Sequence, residues 1–188
     1  MESESTEQPA ANSFYSALLG EDDLTALKKL SGVGVYEIFS SSLEADRMLL
    51  TAPSFSVRLD SREWVVVRSE CLETPGEWLD YYRLSVKVCD DPDGIEVAGD
   101  GALIEPSHIL LVPSSNISSI EVLSLQDPCD GPGTERTAYD RAIRFFREDG
   151  RHFCIAAQTS IAEQVHFSED PVTVAKLLDG CTVRLRIA

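Results

Sequence analysis

From Trp78 to Val88 the chain keeps a period of two. Trp78, Asp80, Tyr82, Leu84, Val86 and Val88 fall on one face, and Tyr81, Arg83, Ser85 and Lys87 on the other. Such alternation marks a strand with one buried side, because successive side chains of extended backbone point to opposite faces of a sheet. The same signal recurs. Phe55, Val57 and Leu59 alternate with Ser56, Arg58 and Asp60, and Trp64–Val67 is rich in β-formers. Val35–Phe39, Ile95–Ala98, Ile109–Pro113 and Ile117–Leu125 add further short strands, and Val183, Leu185 and Ile187 alternate at the end.

Helical signals are confined to the two ends. Phe14, Leu18 and Leu19 begin one pattern. Asp22 or Asp23 caps a second, bearing Leu24, Leu27 and Leu30 and stopped by Gly32 and Gly34. Ser41 and Glu44 form a capping box that predicts a helix through Leu43, Met48 and Leu49, closed by Pro53. Near the C-terminus, Asp170 is an N-cap and Pro171 suits the first helical position. Val172, Ala175 and Leu178 mark the inner face, and Asp179-Gly180 is the stop. With no βαβ alternation through the middle, the pattern predicts an α+β fold. It consists mainly of antiparallel sheet of about eight to ten strands, with a barrel-like closure as one form, and with short helices near the N-terminus and one before the last strand.

The expected organisation is an acidic disordered tail over residues 1–12 and a single α+β domain over 13–188. A chain of 188 residues with 43% apolar side chains buries about 70% of its unfolded surface and needs no metal or disulfide to fold. Asp127–Thr134 is dense in turn formers and reads as a loop. The Asp149-Gly150 pair predicts a two-residue type I′ hairpin, which sets Glu148 opposite Arg151, Phe146 opposite Phe153 and Phe145 opposite Cys154.

Charge excludes several functions. The net charge is −16, unevenly spread: −6 over residues 1–50, −11 over 51–135 and +1 over 136–188. A nucleic-acid backbone or an anionic membrane surface is repelled by that field, whereas a basic protein surface is steered to the acidic middle. The longest aliphatic runs, Val65–Val67 and Ile109–Val112, are far short of the roughly 20 residues of a spanning helix. Cys71, Cys89, Cys129, Cys154 and Cys181 are odd in number and widely spaced, so neither a disulfide framework nor a zinc pattern is expected. With an acidic N-terminus lacking an apolar stretch, the expected setting is the cytoplasm.

The motifs that carry chemistry are incomplete. Leu30-Ser31-Gly32-Val33-Gly34 resembles the hairpin of a helix-hairpin-helix motif, which implies backbone amides close to a DNA phosphate. The residues that follow are β-prone and carry no basic side chain, and a plain glycine helix stop explains the same five. Asp91, Asp93, Gly94 and Asp100 fit four places of a calcium-loop template, but Cys89 stands at the first place and Glu96 at an ordinarily apolar one. His152 and Cys154 are two apart on one strand face and make a candidate Cys-His pair, set against a core cysteine as the simpler account. Gly99-Asp100-Gly101 is a lone GxG with no P-loop lysine. Arg136, Arg141, Arg144, Arg147 and Arg151 are five arginines in sixteen residues; Arg144 and Arg147 fall on opposite faces of a strand, so the run makes no single patch and reads as internal partners of the acidic middle.

No cofactor is expected. The function these features favour is a non-enzymatic acidic protein-binding module, an adaptor or an inhibitor of a basic partner surface. Tyr81, Asp90, Asp91 and Asp93 are its candidate partner-binding residues. Two alternatives stand beside it. One is a small enzyme with a site assembled from Cys154, His152 or the Asp90–Glu96 cluster. The other is a ligand-binding β-barrel or pleckstrin-like module.

Overall fold

The computed structural model describes residues 14–73, 80–126, 136–158 and 163–188. The expected tail over 1–12 and the loop at 127–134 lie outside them. In chain order the elements are β1 (Phe14–Ala17), α1 (Glu21–Lys28), β2 (Gly34–Ser40), β3 (Glu44–Asp46), β4 (Leu49–Ala52), β5 (Ser54–Arg58), β6 (Trp64–Glu73), β7 (Asp80–Cys89), β8 (Ser107–Gln126), β9 (Arg136–Arg147), β10 (His152–Ala157), β11 (Val165–Ser168), α2 (Pro171–Leu177) and β12 (Thr182–Ile187).

The strand order is β3-β4-β11-β10-β9-β8-β2-β5-β6-β7. It begins and ends on different strands, so the described sheet is open, in contrast to the barrel-like alternative. Every pairing is antiparallel except that of β1, which runs parallel to β9. β8 joins the two halves. Its first part, 107–116, pairs with β2, and its second part, 117–126, pairs with β9 on one edge and β12 on the other. The sequence breaks this stretch into two apolar runs at Ser114–Asn116. The structure carries both through as one strand and absorbs the interruption in a register shift opposite Val35–Glu37.

The core lies between the halves. Phe55, Phe145 and Phe153 are fully buried with Leu27, Ile38, Leu84, Leu111, Ile120, Ile143 and Ile155. Phe145 stacks on Phe153 at 4.7 Å, and Phe167 meets Phe153 at 5.5 Å and Phe55 at 5.8 Å. Each such side chain contributes roughly 1.5–3 kcal/mol by burial. Of the face read in β7, Leu84 and Val86 are buried and Tyr82 and Val88 pack on the core; on the other face Lys87 is exposed but Ser85 is buried as well. A second cluster, Leu123, Ala142, Cys154, Ala156 and Val174, sits on the opposite face of the sheet, where α2 covers it.

Polar ties fix the ends. Asp140 is fully buried and accepts from Leu19 N at 2.7 Å, Ser124 Oγ at 2.5 Å and Arg184 Nε at 2.9 Å, binding the β1–α1 connection, β8, β9 and β12 together. Asp23 accepts from Gly20 N at 2.9 Å and from Val86 N at 2.8 Å. It therefore closes the first turn of α1 and also satisfies an amide on the outer strand of the sheet. The N-cap is Gly20, and Asp23 acts from the third helical position rather than as the cap.

Several local readings give way to long-range pairing. Phe14–Ala17 is a strand, not a helix start, because β9 residues 136–139 offer it a backbone partner. Glu44–Ala52 is a hairpin, not a capped helix. A capping box contributes about 1 kcal/mol locally, whereas β4 pairs with β11, buries Ala52 and sets Thr51 Oγ1 2.9 Å from His166 Nδ1. Ile95–Ala98 is no strand; only Val97 bridges to Leu103. The inner face of α2 is Val174, Leu177 and Leu178, while Val172 is 64% exposed. The described residues contain twelve strands and two helices, more strands and fewer helices than expected.

The Asp149-Gly150 hairpin is shifted by one residue from its expected register. Arg147 N donates to Arg151 O and Gly150 N donates to Arg147 O, so the loop has three residues, Glu148-Asp149-Gly150, with Gly150 at φ 82°. This is a three-residue hairpin loop that ends on a left-handed glycine. Phe145 therefore faces Phe153 across the strands, His152 faces Phe146, and Cys154 faces Arg144. One residue of slip exchanges the two faces of a strand, which is why Phe145 and Phe153 reach the core together.

Candidate functional site: a charged cleft beside Trp64

The strands β5, β6 and β7 end side by side. Arg58 is opposite Trp64, and Trp64 is opposite Cys89. The Arg58 guanidinium lies 5.7 Å over the Trp64 ring, and Phe39 meets the same ring edge-on at 5.6 Å. Between β5 and β6 the chain turns through Asp60-Ser61-Arg62. Leu59 N donates to Glu63 O at 2.8 Å and Arg62 N to Leu59 O at 3.0 Å.

After β7 the chain crosses back over the sheet. Pro92 and Ile95 are buried, and Asp93 N donates to Ser56 Oγ at 3.2 Å. Gly94 has φ 67°, and a side chain there would come within 3.1 Å of Ser41 Oγ, so both conformation and space require glycine. The excursion then doubles on itself. Ala98 N donates to Ala102 O and Gly101 N to Ala98 O, with Asp100 at the tip accepting from Ala102 N at 3.0 Å.

These two turns and the end of β7 enclose a cleft of about 350 Å³. It is lined by Arg58, Arg62, Trp64, Asp90, Asp91, Val97, Asp100, Gly101 and Leu103. Trp64 is only 5% exposed, whereas both arginines and all three aspartates reach solvent. The ion pairs of the described residues run elsewhere. Glu63 pairs with Lys29, Glu70 with Arg68, Arg83 and Lys87, Glu121 with Arg144 and Arg186, and Asp140 with Arg184. Arg147 pairs with Asp149 at 3.1 Å and Glu169 at 3.4 Å, and Arg151 approaches Asp149 at 4.0 Å. None joins a cleft arginine to a cleft aspartate.

The predicted site residues divide between two places. Asp90 and Asp91 line the cleft, and Asp93 is anchored beside it through its backbone. Tyr81 lies at the other end of β7, opposite Leu72 in register. Asp90 follows it by nine positions along the chain, about 30 Å at roughly 3.3 Å each. The Tyr81 side chain, and Trp78 with the rest of 74–79, lie outside the described residues. Arg58, Arg62 and Trp64 escaped sequence reading because the turn that gathers them has no glycine, asparagine or proline to announce it.

The other motifs take structural parts. Cys154 is fully buried against α2, and burial pushes its thiol up to about 12 against the pull of Arg144, so it is no nucleophile at neutral pH. His152 faces the Phe146 ring at 5.9 Å. Among the described residues no group of three or more His, Cys, Asp or Glu side chains is arranged to hold a metal ion. Gly32, at φ 77°, leads from α1 into β2 rather than into a second helix, which removes the likeness to a helix-hairpin-helix. Of the arginine run, Arg144 pairs with the acidic middle through Glu121, but Arg147 and Arg151 pair with Asp149 and Glu169 instead. No helix of the described residues is long and apolar enough to cross a membrane.

No family model matches the chain, and neither a curated protein nor a solved structure matches it.

Proposed function

We propose that this chain is a non-enzymatic protein-binding module, and that the acidic surface around the cleft docks a partner with a basic face. The observation that carries the reading is the pair Asp90 and Asp91. Both are exposed, both line a concave surface, and neither makes an ion pair among the described residues, in a chain of net charge −16. Carboxylates left without partners attract a basic protein from a distance and repel nucleic acid and anionic lipid. The buried, proton-bearing Cys154 thiol supports a role without covalent chemistry. Cys89, Cys154 and Cys181 as thiols support a reducing, cytoplasmic setting.

The test is the salt dependence of association. Partners are captured from the native host by crosslinking, and the rates are then measured by surface plasmon resonance at 0.01 M and 0.15 M salt. The screening length falls from about 30 Å to about 8 Å between these concentrations. Association is expected to slow steeply with salt and to slow again when Asp90, Asp91 and Asp93 are changed together to Asn. Tyr81 stands about 30 Å from Asp90 along β7, so Tyr81→Ala acts on dissociation only for a partner whose footprint runs the length of that strand. A salt-independent association rate overturns the reading.

A further inference from the structure

The cleft is not simply acidic. Arg58 and Arg62 open onto the same 350 Å³ space as Asp90, Asp91 and Asp100, in a protein with twice as many acidic as basic side chains. Arg68, Arg83, Arg144, Arg147, Arg184 and Arg186 each pair with a carboxylate, whereas Arg47, Arg141 and the two cleft arginines make no ion pair among the described residues. The two cleft arginines are held away from one. Arg58 is stacked over Trp64, an arrangement that holds the guanidinium plane and leaves its edge donors open.

Arg62 is held by its backbone. Three hairpins of the chain share one pattern: a three-residue loop, the same two backbone hydrogen bonds, and a left-handed third residue. They close at Leu59–Glu63, Ala98–Ala102 and Arg147–Arg151. The left-handed position is Gly101 at φ 85° in one and Gly150 at φ 82° in another, but Arg62 at φ 71° in the first. A side chain at this position is strained relative to glycine. The turn thus carries a guanidinium to the cleft at a site where its own geometry favours having no side chain.

We infer that the cleft binds two opposite charges of one partner segment at once: a lysine or arginine side chain against Asp90, Asp91 and Asp100, and a neighbouring carboxylate between Arg58 and Arg62. This rests on the protein-binding reading above and specifies its ligand. A lone anion is opposed by three aspartates and by the field of the whole molecule, and a lone cation is opposed by two guanidinium groups. A segment bearing both charges meets both sets and is neutral overall, so it is matched rather than merely attracted. The volume stands at the small end of ligand sites, which run from roughly 300 Å³, and suits a pair of side chains.

The test uses the full chain and three end-capped tetrapeptides: one with adjacent lysine and glutamate, one with lysine only and one with glutamate only. Binding is followed by NMR at the Trp64 indole N–H and the Arg58 and Arg62 Nε–H signals. The mixed peptide is expected to saturate at a concentration about tenfold below either single-charge peptide, a difference equal to about 1.4 kcal/mol. Arg62→Gly suits the turn and folds, and it should reduce the mixed peptide to the affinity of the lysine peptide. Asp90→Asn with Asp91→Asn should reduce it to that of the glutamate peptide. If the lysine peptide binds as well as the mixed one and ignores Arg62→Gly, the arginines play no part and this inference fails while the acidic docking reading stands. If the mixed peptide gives no saturable shift, the cleft is not the site, and the docking reading answers to its own salt dependence.

Discussion

Arg62 occupies in the Leu59–Glu63 hairpin the place that Gly150 occupies in the Arg147–Arg151 hairpin, with the same pair of backbone hydrogen bonds and the same sign of φ. The left-handed region costs a residue with a Cβ about 1–2 kcal/mol, and glycine returns part of that gain through the entropy of the unfolded chain. Arg62→Gly is therefore expected to raise stability by about 1 kcal/mol, and Gly150→Ala to lower it by a similar amount. Urea unfolding of both variants checks this. An Arg62→Gly protein weaker than its parent would mean that the side chain, not the turn, stabilises the hairpin.

Asp140 is the buried meeting point of four segments. Asp140→Ala leaves the Arg184 guanidinium and the Leu19 amide without their acceptor and is expected to destabilise by about 3–5 kcal/mol. Asp140→Asn, which keeps the shape and one acceptor, should cost less. Equal midpoints for parent and Asp140→Ala in urea would sink the assignment of Asp140 as the tie between β12 and the β1–α1 connection.

Glu70 stands among Arg68, Arg83 and Lys87. Burial pushes its carboxyl upward, but hydrogen bonds from Lys87, Ser85 and Arg68 outweigh that and lower it to about 2. A depressed folded value stabilises the protein at pH above the ordinary 4.5, and the contribution is lost as pH falls from there toward 2. Glu70→Gln should thus be weaker than the parent at pH 6 by about 1 kcal/mol, the scale of a partly screened network. The difference should close as pH falls toward 2. A gap that persists unchanged at pH 2 contradicts the ionic origin.

Cys154 is expected to resist alkylation at pH 8 until the protein unfolds, because its thiol is fully buried and held near 12. Mass spectrometry of the labelled peptides, with and without urea, decides this. Rapid labelling of Cys154 in the folded state would reopen the Cys-His reading.

Much of the β architecture is legible in the chain. The period of two through Tyr82, Leu84, Val86 and Val88 marks β7 and its core-facing side, because alternation is a local consequence of extended backbone. Asp170 and Pro171 mark the start of α2 for an equally local reason: the Asp170 carboxylate accepts from Thr173 N at 2.8 Å, three residues away. What local pattern could not reveal was the choice between competing local signals and distant partners. Phe14–Ala17 and Glu44–Ala52 carry helical cues and became strands because β9 and β11 supply the hydrogen bonds. The hairpin register at Gly150 moved by one residue because a three-residue turn places both Phe145 and Phe153 in the core.

The candidate site divides in the same way. Net charge and the run Asp90, Asp91 and Asp93 belong to the sequence, since charge is additive and needs no fold. The tertiary structure alone decided that Tyr81 lies a strand's length from them. It alone also brought Arg58, Arg62 and Trp64 to the aspartates, because β7 ends beside Trp64 and the chain that follows it, tied at Asp93 N to Ser56 Oγ, returns to the turn between β5 and β6. A cleft is made by segments far apart in the chain, and no spacing of residues along one segment records it.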